Sequence, residues 1–520
     1  AEFKIPVAQL RFNAAGPEGG REWGLNVARE ISRNGELSFW SPTNLERDGI
    51  VSQFGILENV DDIRPPGSLE LLPYLSQQLT RSPRTGDDPF YAPTDAGTAM
   101  GLDLKYTFRN GLTASATVNP DFGQVEADPT RVNLTANQLF FPERRPFFLE
   151  GGDIFRFGNT QTFSTPGPPI TFYSRRIGRA PSGSPSMAGL DAEYAETPLQ
   201  TSIFGAAKVS GKIGDGWSVG VLQAFTARED ARLQLSDGDR RSITVEPASQ
   251  YAVARLKRDF SDGRGYVGGF TSYTSRSMAG TYLADHLPGS AILSGADFEA
   301  RTPERDWVVS GTFSMSHVSG SRASIERLQR SSVRWYQRPD YRSQSVDPMR
   351  TNLTGTAGEL SLQKAGGQNW LGSLTYSAVS PGYESNDVGF QNRAGYRALH
   401  AVAIYRELEP ERIQFFDVFL FHGRGWNPDG LLTGRVTGLG TTLEFRNQWR
   451  FNIEGFQAGG VYDDRLTRGG PVAWSPRMRI GSMNLWSDRS RNLSGSIQLN
   501  RAQNEAGEWE TELAVETAFR

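Results

Sequence analysis

The feature that most constrains the fold of this chain is the strict alternation of apolar and polar residues in many short segments. In one of them, Leu104 and Tyr106 alternate with Asp103 and Lys105. Other segments repeat the pattern, with apolar Val309, Phe313, Leu513 and Val515 set against polar Ser310, Thr312, Glu510 and Glu512. Successive side chains of a strand point to opposite faces, so the alternation predicts strands with one apolar and one polar face.

About eighteen segments are predicted as strands, and their connections alternate between short turns and longer polar stretches such as 228–248, 276–295 and 318–352. The segments are 69–78, 98–109, 112–120, 200–213, 217–228, 249–260, 266–276, 296–302, 307–318, 353–364, 370–378, 397–406, 413–422, 433–446, 449–456, 477–488, 492–502 and 509–519. Short turns at one end and long loops at the other are typical of outer-membrane barrels.

The composition favours strands over helices as the elements that would cross a membrane. Only 37% of the 520 residues are hydrophobic, and no run approaches the roughly 20 apolar residues of a spanning helix. Half of each barrel strand can be polar because it faces the lumen. The sequence therefore predicts an all-β protein, a transmembrane antiparallel β-barrel of about 16–20 strands in a bacterial outer membrane. Its apolar faces should meet lipid and its polar faces the lumen.

An aromatic residue follows a short polar turn at six predicted strand starts. These residues are Trp217, Tyr266, Trp307, Trp370, Trp449 and Trp509. Amphipathic rings are enriched where a membrane meets water, so we expect all six to form one aromatic girdle at one end of the barrel. The alternative is that the rings cap a soluble core, which explains six equivalent positions less simply.

The chain divides into two parts by composition. Residues 1–60 read as the C-terminal remnant of a β-sandwich with its linker, because Pro and Gly cluster at 63–67 and the strands before them are short. Residues 61–520 read as the barrel. The chain stops inside a predicted strand at 519–520, so we expect further strands after it.

The segment 119–180 breaks the alternation, with paired Phe, paired Arg and several Pro residues. Irregular backbone is not tolerated against lipid, so we expect a plug or constriction inside the barrel. Its candidate lumen residues are Asp121, Glu126, Asp128, Glu143, Arg144, Arg145, Glu150, Arg175 and Arg176. Buried charges need partners, so we expect these cations and carboxylates to pair. Bracing of the wall is the favoured role, and contact with an anion or a sugar is the alternative.

Three runs of that segment, 119–129, 140–151 and 172–178, resemble the signature of an uncharacterised bacterial outer-membrane β-barrel family. The runs 337–340, 380–390 and 467–471 are further matches, and residues 1–45 resemble the end of a family-9 carbohydrate-binding-like module that precedes the barrel in that family. The resemblance implies the barrel fold and a link to glycans. It implies no activity, because the activity of the family is itself unknown.

The expected function is a channel or transporter that handles a solute, glycan-related by resemblance, at the cell surface. Two alternatives are a surface glycoside hydrolase or carbohydrate-binding protein, and a non-transporting scaffold for periplasmic or surface partner proteins. Asp121, Glu126 and Asp128 do not have the spacing of a calcium-binding EF-hand loop. No cofactor or metal is predicted, and a net charge of -3 gives no electrostatic case for nucleic acid. The chain contains no Cys, which excludes disulfides and thiolate chemistry.

Overall fold

The computed structural model describes residues 4, 23–31, 36–44, 46–47, 49–58, 67–81, 83, 87–120, 131–134, 136, 138–158, 167–214, 216–260, 263–408, 410–411 and 413–519. Within them, the strands are β1 (Trp23–Leu25), β2 (Ala28–Ile31), β3 (Glu36–Phe39), β4 (Gly55–Leu57), β5 (Ser68–Arg81), β6 (Thr94–Thr107), β7 (Leu112–Val118), β8 (Ala192–Glu196), β9 (Ile203–Ile213), β10 (Trp217–Thr226), β11 (Glu229–Leu235), β12 (Arg240–Glu246), β13 (Ser249–Phe260), β14 (Gly265–Arg276), β15 (Ser290–Arg301), β16 (Trp307–Ser319), β17 (Asn352–Lys364), β18 (Trp370–Val379), β19 (Tyr396–Glu407), β20 (Phe415–Trp426), β21 (Leu432–Glu444), β22 (Arg450–Ala458), β23 (Val461–Asp463), β24 (Ala473–Ser475), β25 (Met478–Trp486), β26 (Leu493–Asn504) and β27 (Trp509–Phe519). The helices are α1 (Pro146–Leu149) and α2 (Arg322–Arg330), and 3-10 turns lie at Val51–Gln53, Gly152–Phe155, Ser174–Arg176 and Tyr282–Asp285.

Among the described residues, eighteen strands form one antiparallel sheet with the curvature of a barrel. Its order is β5, β6, β7, β9, β10, then β13 to β22, then β25, β26 and β27. No register of paired residues joins β27 to β5 in this part of the chain, so a seam separates the two end strands. Each of the predicted strand segments overlaps one strand of this sheet, and the predicted all-β antiparallel barrel architecture is confirmed.

The two faces of the sheet have the predicted polarity. Phe313 and Leu513 are 58% and 66% exposed on the outer face, and Tyr106, Val309 and Val515 are exposed there as well. Ser314 and Ser316 are 4% and 0% exposed on the inner face, so polar groups are buried where apolar groups would be in a soluble sheet. At the edge strand β27, Asn500 Nδ2 donates to Glu512 Oε2 at 3.1 Å, which sets Glu512 on the face opposite Leu513.

Connectivity distinguishes the two ends of the sheet. At one, the short-turn end, tight connections join β6 to β7, β9 to β10, β13 to β14, β15 to β16 and β17 to β18. At the other, the long-loop end, longer segments join β7 to β9, β10 to β13, β14 to β15, β16 to β17 and β18 to β19. Two of those loops contain structure that the sequence patterns do not predict: the hairpin β11–β12, which pairs with β8, and α2, whose Ile325 is fully buried.

Two of the six aromatic residues do not lie where the girdle prediction placed them. Antiparallel pairing makes β27 start at the long-loop end, so Trp509 lies at that end. In contrast, Trp217, Trp307, Trp370 and Trp449 lie at the short-turn end. Tyr266 lies on the inner face, where its ring is 4.2 Å from Lys257 Nζ and its hydroxyl is 3.4 Å from Asp297 Oδ2. It is the second residue of β14, not the first, and a shift of one residue reverses the face of a strand side chain.

Outside the large sheet, β1 pairs with β4, β2 with β3, and β23 with β24. Glu46 O accepts a hydrogen bond of 2.6 Å from Gly367 N, so the chain before β5 contacts a turn at the short-turn end. The division of the chain near residue 60 stays a prediction. Among the described residues, no helix is both long and apolar enough to span a membrane.

Candidate ligand site on the inner face

The irregular connection between β7 and β9 packs against the inner face of the sheet. We call its described residues 138–158 and 167–190 the inner segment. The buried amine of Lys208 on β9 donates to the carbonyl oxygens of Phe147 and Glu150. Deeper still, Gly158 N donates to Asp297 Oδ2 at 3.0 Å, close to the short-turn end of β15. The inner segment therefore enters from the long-loop end and runs along much of the inner face.

The structure brings two of the predicted charged residues into direct contact. Arg145 forms a 2.7 Å ion pair with Glu143, and both side chains are nearly buried, at 13% and 12% exposure. The Ser174 hydroxyl also donates to Glu143, at 2.6 Å. Burial by itself would raise the pKa of Glu143, but the hydrogen bonds and charge of Arg145, with the Ser174 hydrogen bond, outweigh it and lower the pKa. Glu143 therefore remains a charged carboxylate. It links the start of α1, through Arg145, to the 3-10 turn at Ser174–Arg176.

The remaining predicted cations have different surroundings. Arg176 is 5% exposed and donates to the neutral oxygens of Gly389, Gln138 and Asn386 at 2.6 to 2.7 Å. Burial, with repulsion from Arg179, lowers the pKa of Arg176 to about 10. Arg175 donates to Pro142 O at 3.1 Å. These contacts hold the backbone of the inner segment.

Two further predicted residues flank α1, with Arg144 before its start and Glu150 directly after its end. Glu150 forms a 2.8 Å ion pair with Lys105 of β6. The backbone N–H of Arg144 donates to Glu143 Oε1 at 3.0 Å. Asp121, Glu126 and Asp128 lie outside the described residues, so their contacts and the role of the whole set in a lumen stay predictions.

Sequence reasoning missed a series of buried ion pairs among strands of the sheet and the loops at the long-loop end. They are Arg255–Asp297, Arg276–Asp387, Arg334–Glu384, Arg338–Asp464 and Arg393–Asp464, at 2.6 to 3.0 Å. Arg338 and Asp387 belong to runs that signalled the family resemblance, but their partners are distant in sequence. The runs also meet each other: Tyr173 N donates to Val388 O at 2.8 Å. The runs 172–178 and 380–390 are therefore in direct contact.

Two adjoining cavities lie at the inner segment: the larger is lined by residues of the inner segment alone, and the smaller lies between the inner segment and the sheet. We call the larger, of about 290 Å³, the chamber; its aromatic lining is Phe140, Phe148, Phe155, Phe157, Phe172 and Tyr173. We call the smaller, of about 30 Å³, the recess; its hydroxyl lining is Thr171, Thr312, Ser314, Ser377, Tyr383 and Tyr396. Phe157 and Thr171 line both, so the cavities are neighbours. Together the two cavities combine apolar walls with convergent polar groups, as ligand sites do.

The fold defines a barrel-type protein in which the connection between β7 and β9 packs against the inner face of the sheet. The chain belongs to the family described as a domain of unknown function, DUF5916, whose model matches residues 65–520. The match begins at residue 65, and a carbohydrate-binding module before it stays a prediction. No curated protein matches the chain.

Solved structures of barrel proteins share distant similarity with the chain. BamA from Haemophilus ducreyi lacking POTRA domains 1–3 aligns at a TM-score of 0.28 and 9% identity, over 62% of this chain and 69% of that one. The Pseudomonas putida toluene transporter TodX aligns at a TM-score of 0.17 and 9% identity, over 66% and 97%. A TodX deltaS2S3 mutant, titled a monoaromatic hydrocarbon channel, aligns at 0.14 and 12%, over 61% and 72%. Similarity this distant says nothing about a ligand.

Proposed function

We propose that the protein is an outer-membrane β-barrel that passes a small solute, with the inner segment lining or closing the path. The observation that supports this most strongly is the inverted polarity of the sheet. Large apolar side chains such as Phe313, Leu439 and Leu513 are 58 to 66% exposed on its outer face, while serine and threonine are buried inside. A continuous apolar surface of this kind is unfavourable in water and favourable in lipid.

Under this proposal the short-turn end faces the periplasm, because outer-membrane barrels keep short turns there. Glu46 contacts Gly367 at that end, which supports a periplasmic position for the chain that precedes the barrel. A glycan-related solute is the finer form of the proposal. It rests on the resemblance of residues 1–45, and the contact with Gly367 favours an encounter with the glycan at the periplasmic mouth over one at the cell surface.

A scaffold that transports nothing is the second candidate. The buried ion pairs support it, because Arg334–Glu384 joins two loops with side chains that are 0 to 3% exposed. The Asp297 carboxylate, paired with Arg255 on a neighbouring part of the sheet, also accepts from Gly158 N of the inner segment. A glycoside hydrolase is a weaker candidate. It needs two carboxylates across one cleft, one of them protonated. In the chamber, Glu143 is instead engaged by Arg145 and Ser174 and its pKa is lowered.

The experiment that tests the proposal is reconstitution of the chain into liposomes, followed by swelling assays with uncharged solutes of increasing size. Influx of small solutes with a sharp size limit is expected, together with a shift in gel mobility on boiling. A chain that stays soluble without detergent would exclude the membrane barrel. A chain that inserts but admits no solute, even when the inner segment is deleted from 138 to 178, would favour the scaffold.

A further inference from the structure

The chamber has the size and wall chemistry of a site for a single ring. Its volume of about 290 Å³ is at the lower limit of the range of roughly 300–1,000 Å³ that is usual for small-molecule pockets. Phe140 remains 47% exposed, and its ring stacks 4.9 Å from Tyr173 at an interplanar angle of 30°. An exposed ring held by a buried one presents a flat apolar surface to whatever enters the chamber.

The recess, which shares Phe157 and Thr171 with the chamber, supplies further polar groups. Tyr383 and Ser314 share a 2.8 Å hydrogen bond, and the Glu359 carboxylate lines the same space. Ser377 is 2% exposed, and its hydroxyl has no hydrogen-bond partner among the residues that the structure describes. A buried hydroxyl without a partner costs about 1–3 kcal/mol, so an occupant that bonds to it would recover that free energy.

We propose that the chamber and recess together bind one polyhydroxylated ring of monosaccharide size. The apolar face of the ring stacks on the exposed face of Phe140, and a hydroxyl group reaches Ser377 in the recess. The Glu359 carboxylate accepts hydrogen bonds from hydroxyls and repels anions. A purely apolar ring would leave Ser377 unpartnered and would bury Glu359 against hydrocarbon. This inference deepens the proposed function, on which it rests, because it names the class of the solute.

The test is binding of glucose and myo-inositol to the full chain, with indole as the apolar probe. Saturation-transfer NMR and calorimetry in lauryl dimethylamine oxide are suitable, because this detergent has no sugar head group that would compete. Ser377→Ala should raise the dissociation constant of the sugar about 2- to 10-fold, the range of one neutral hydrogen bond. The same change should leave the free protein as stable as before, or more stable, since it removes an unpartnered hydroxyl.

Ser361→Ala is the matched control, because Ser361 lies on the same inner face but bonds to Thr375 at 2.9 Å outside both cavities. Sugar affinity should be unchanged in that variant. Tighter binding of indole than of glucose, or equal sugar affinity in Ser377→Ala and wild type, would overturn the inference. Solute influx without saturable sugar binding would overturn it and leave the proposed function standing, whereas loss of both influx and binding would reject both.

Discussion

Glu143 is the residue on which the local geometry of the inner segment depends. It accepts hydrogen bonds from the side chain of Arg145, from the hydroxyl of Ser174 and from two backbone N–H groups. It therefore joins the start of α1 to the 3-10 turn at Ser174–Arg176. A carboxylate with this many donors is stabilised in its charged form.

Replacement of Glu143 by Gln should lower the free energy of unfolding at pH 7 by about 1–3 kcal/mol, because charged hydrogen bonds become neutral ones in a nearly buried site. The pKa of Glu143 is lowered in the folded state, so its contribution is complete above the ordinary glutamate range and is lost as pH falls through the lowered value. Urea midpoints measured in detergent from pH 7 downward should therefore converge for the wild type and the variant.

Asp153→Asn is the control, since Asp153 belongs to the same segment but its side chain is 91% exposed. Its midpoint should follow that of the wild type at every pH. A difference between Glu143→Gln and wild type that persists unchanged at low pH would contradict the assignment of the effect to ionisation.

Asp297 should be the most sensitive single position on the inner face. Its carboxylate receives both terminal nitrogens of Arg255, at 2.6 and 2.7 Å, and each side chain is only 1% exposed. Asp297→Asn leaves a buried cation without its counter-charge, so we expect a loss of about 3–5 kcal/mol in the free energy of unfolding. Asp230→Asn breaks the exposed pair with Arg228 and should cost at most about 1 kcal/mol.

A double variant, Arg255→Met with Asp297→Leu, separates charge from shape. It removes both members of the pair, so no charge remains buried, and it should be more stable than Asp297→Asn. Urea unfolding of all four proteins provides the comparison. Equal losses in the single and double variants would show that packing around Gly158, not charge pairing, sets the sensitivity of this site.

At the scale of the elements, the strands differ from those of a soluble sheet in the polarity of their two faces. Here the apolar face is the exposed one. In β16, Trp307, Val309, Phe313 and Met315 are exposed, whereas Ser314 and Ser316 are buried. Val309 is near the short-turn end of this strand, and Phe313 is at its middle. The two positions therefore sample different depths if the outer face meets lipid.

Arginine at these two positions should give a depth-dependent loss of stability. We expect about 2–4 kcal/mol for Phe313→Arg near the midplane and about 0–1 kcal/mol for Val309→Arg nearer the interface. Urea unfolding in lipid vesicles measures the difference, with Phe313→Ala as the control for lost ring area. Equal losses at the two sites would contradict the placement of Phe313 near the membrane midplane and Val309 nearer the interface.

Whether a feature of this structure could be predicted from the sequence depends on how far apart in sequence the interacting residues lie. Alternation is local, so Leu513 and Glu512 could be assigned to opposite faces from their own strand. The face of Tyr266 depends on the length of one turn, and the end at which Trp509 lies depends on the direction of every strand before it. Arg338 and Asp464 are joined by the fold alone, and no local pattern separates the unpartnered Ser377 from other serines of the inner face.

At the scale of the whole molecule, long connections between the strands pack against the inner face of the sheet. The inner segment reaches from the long-loop end to Asp297 near the short-turn end, and the loop 380–390 meets it through Tyr173 and Arg176. If a solute crosses the inside of the barrel as proposed, it passes with the inner segment at rest or it displaces the inner segment. These two routes differ in whether the inner segment moves.

A disulfide between positions 158 and 312 should distinguish the two routes. A Cβ placed on Gly158 would lie 3.7 Å from the Cβ of Thr312, within the roughly 3.5–4.5 Å that disulfides require, and the chain has no Cys to compete. Gly158 has a φ of 73°, so Gly158→Cys alone should cost about 1–2 kcal/mol in stability. This single variant and Thr312→Cys serve as the controls.

If passage requires the inner segment to leave the wall, oxidation of Gly158→Cys/Thr312→Cys should reduce solute influx into liposomes, and reductant should restore it. The single variants should not respond to reductant. Influx that is identical in the oxidised and reduced double variant would instead show that solute passes while this contact is closed, with the inner segment at rest.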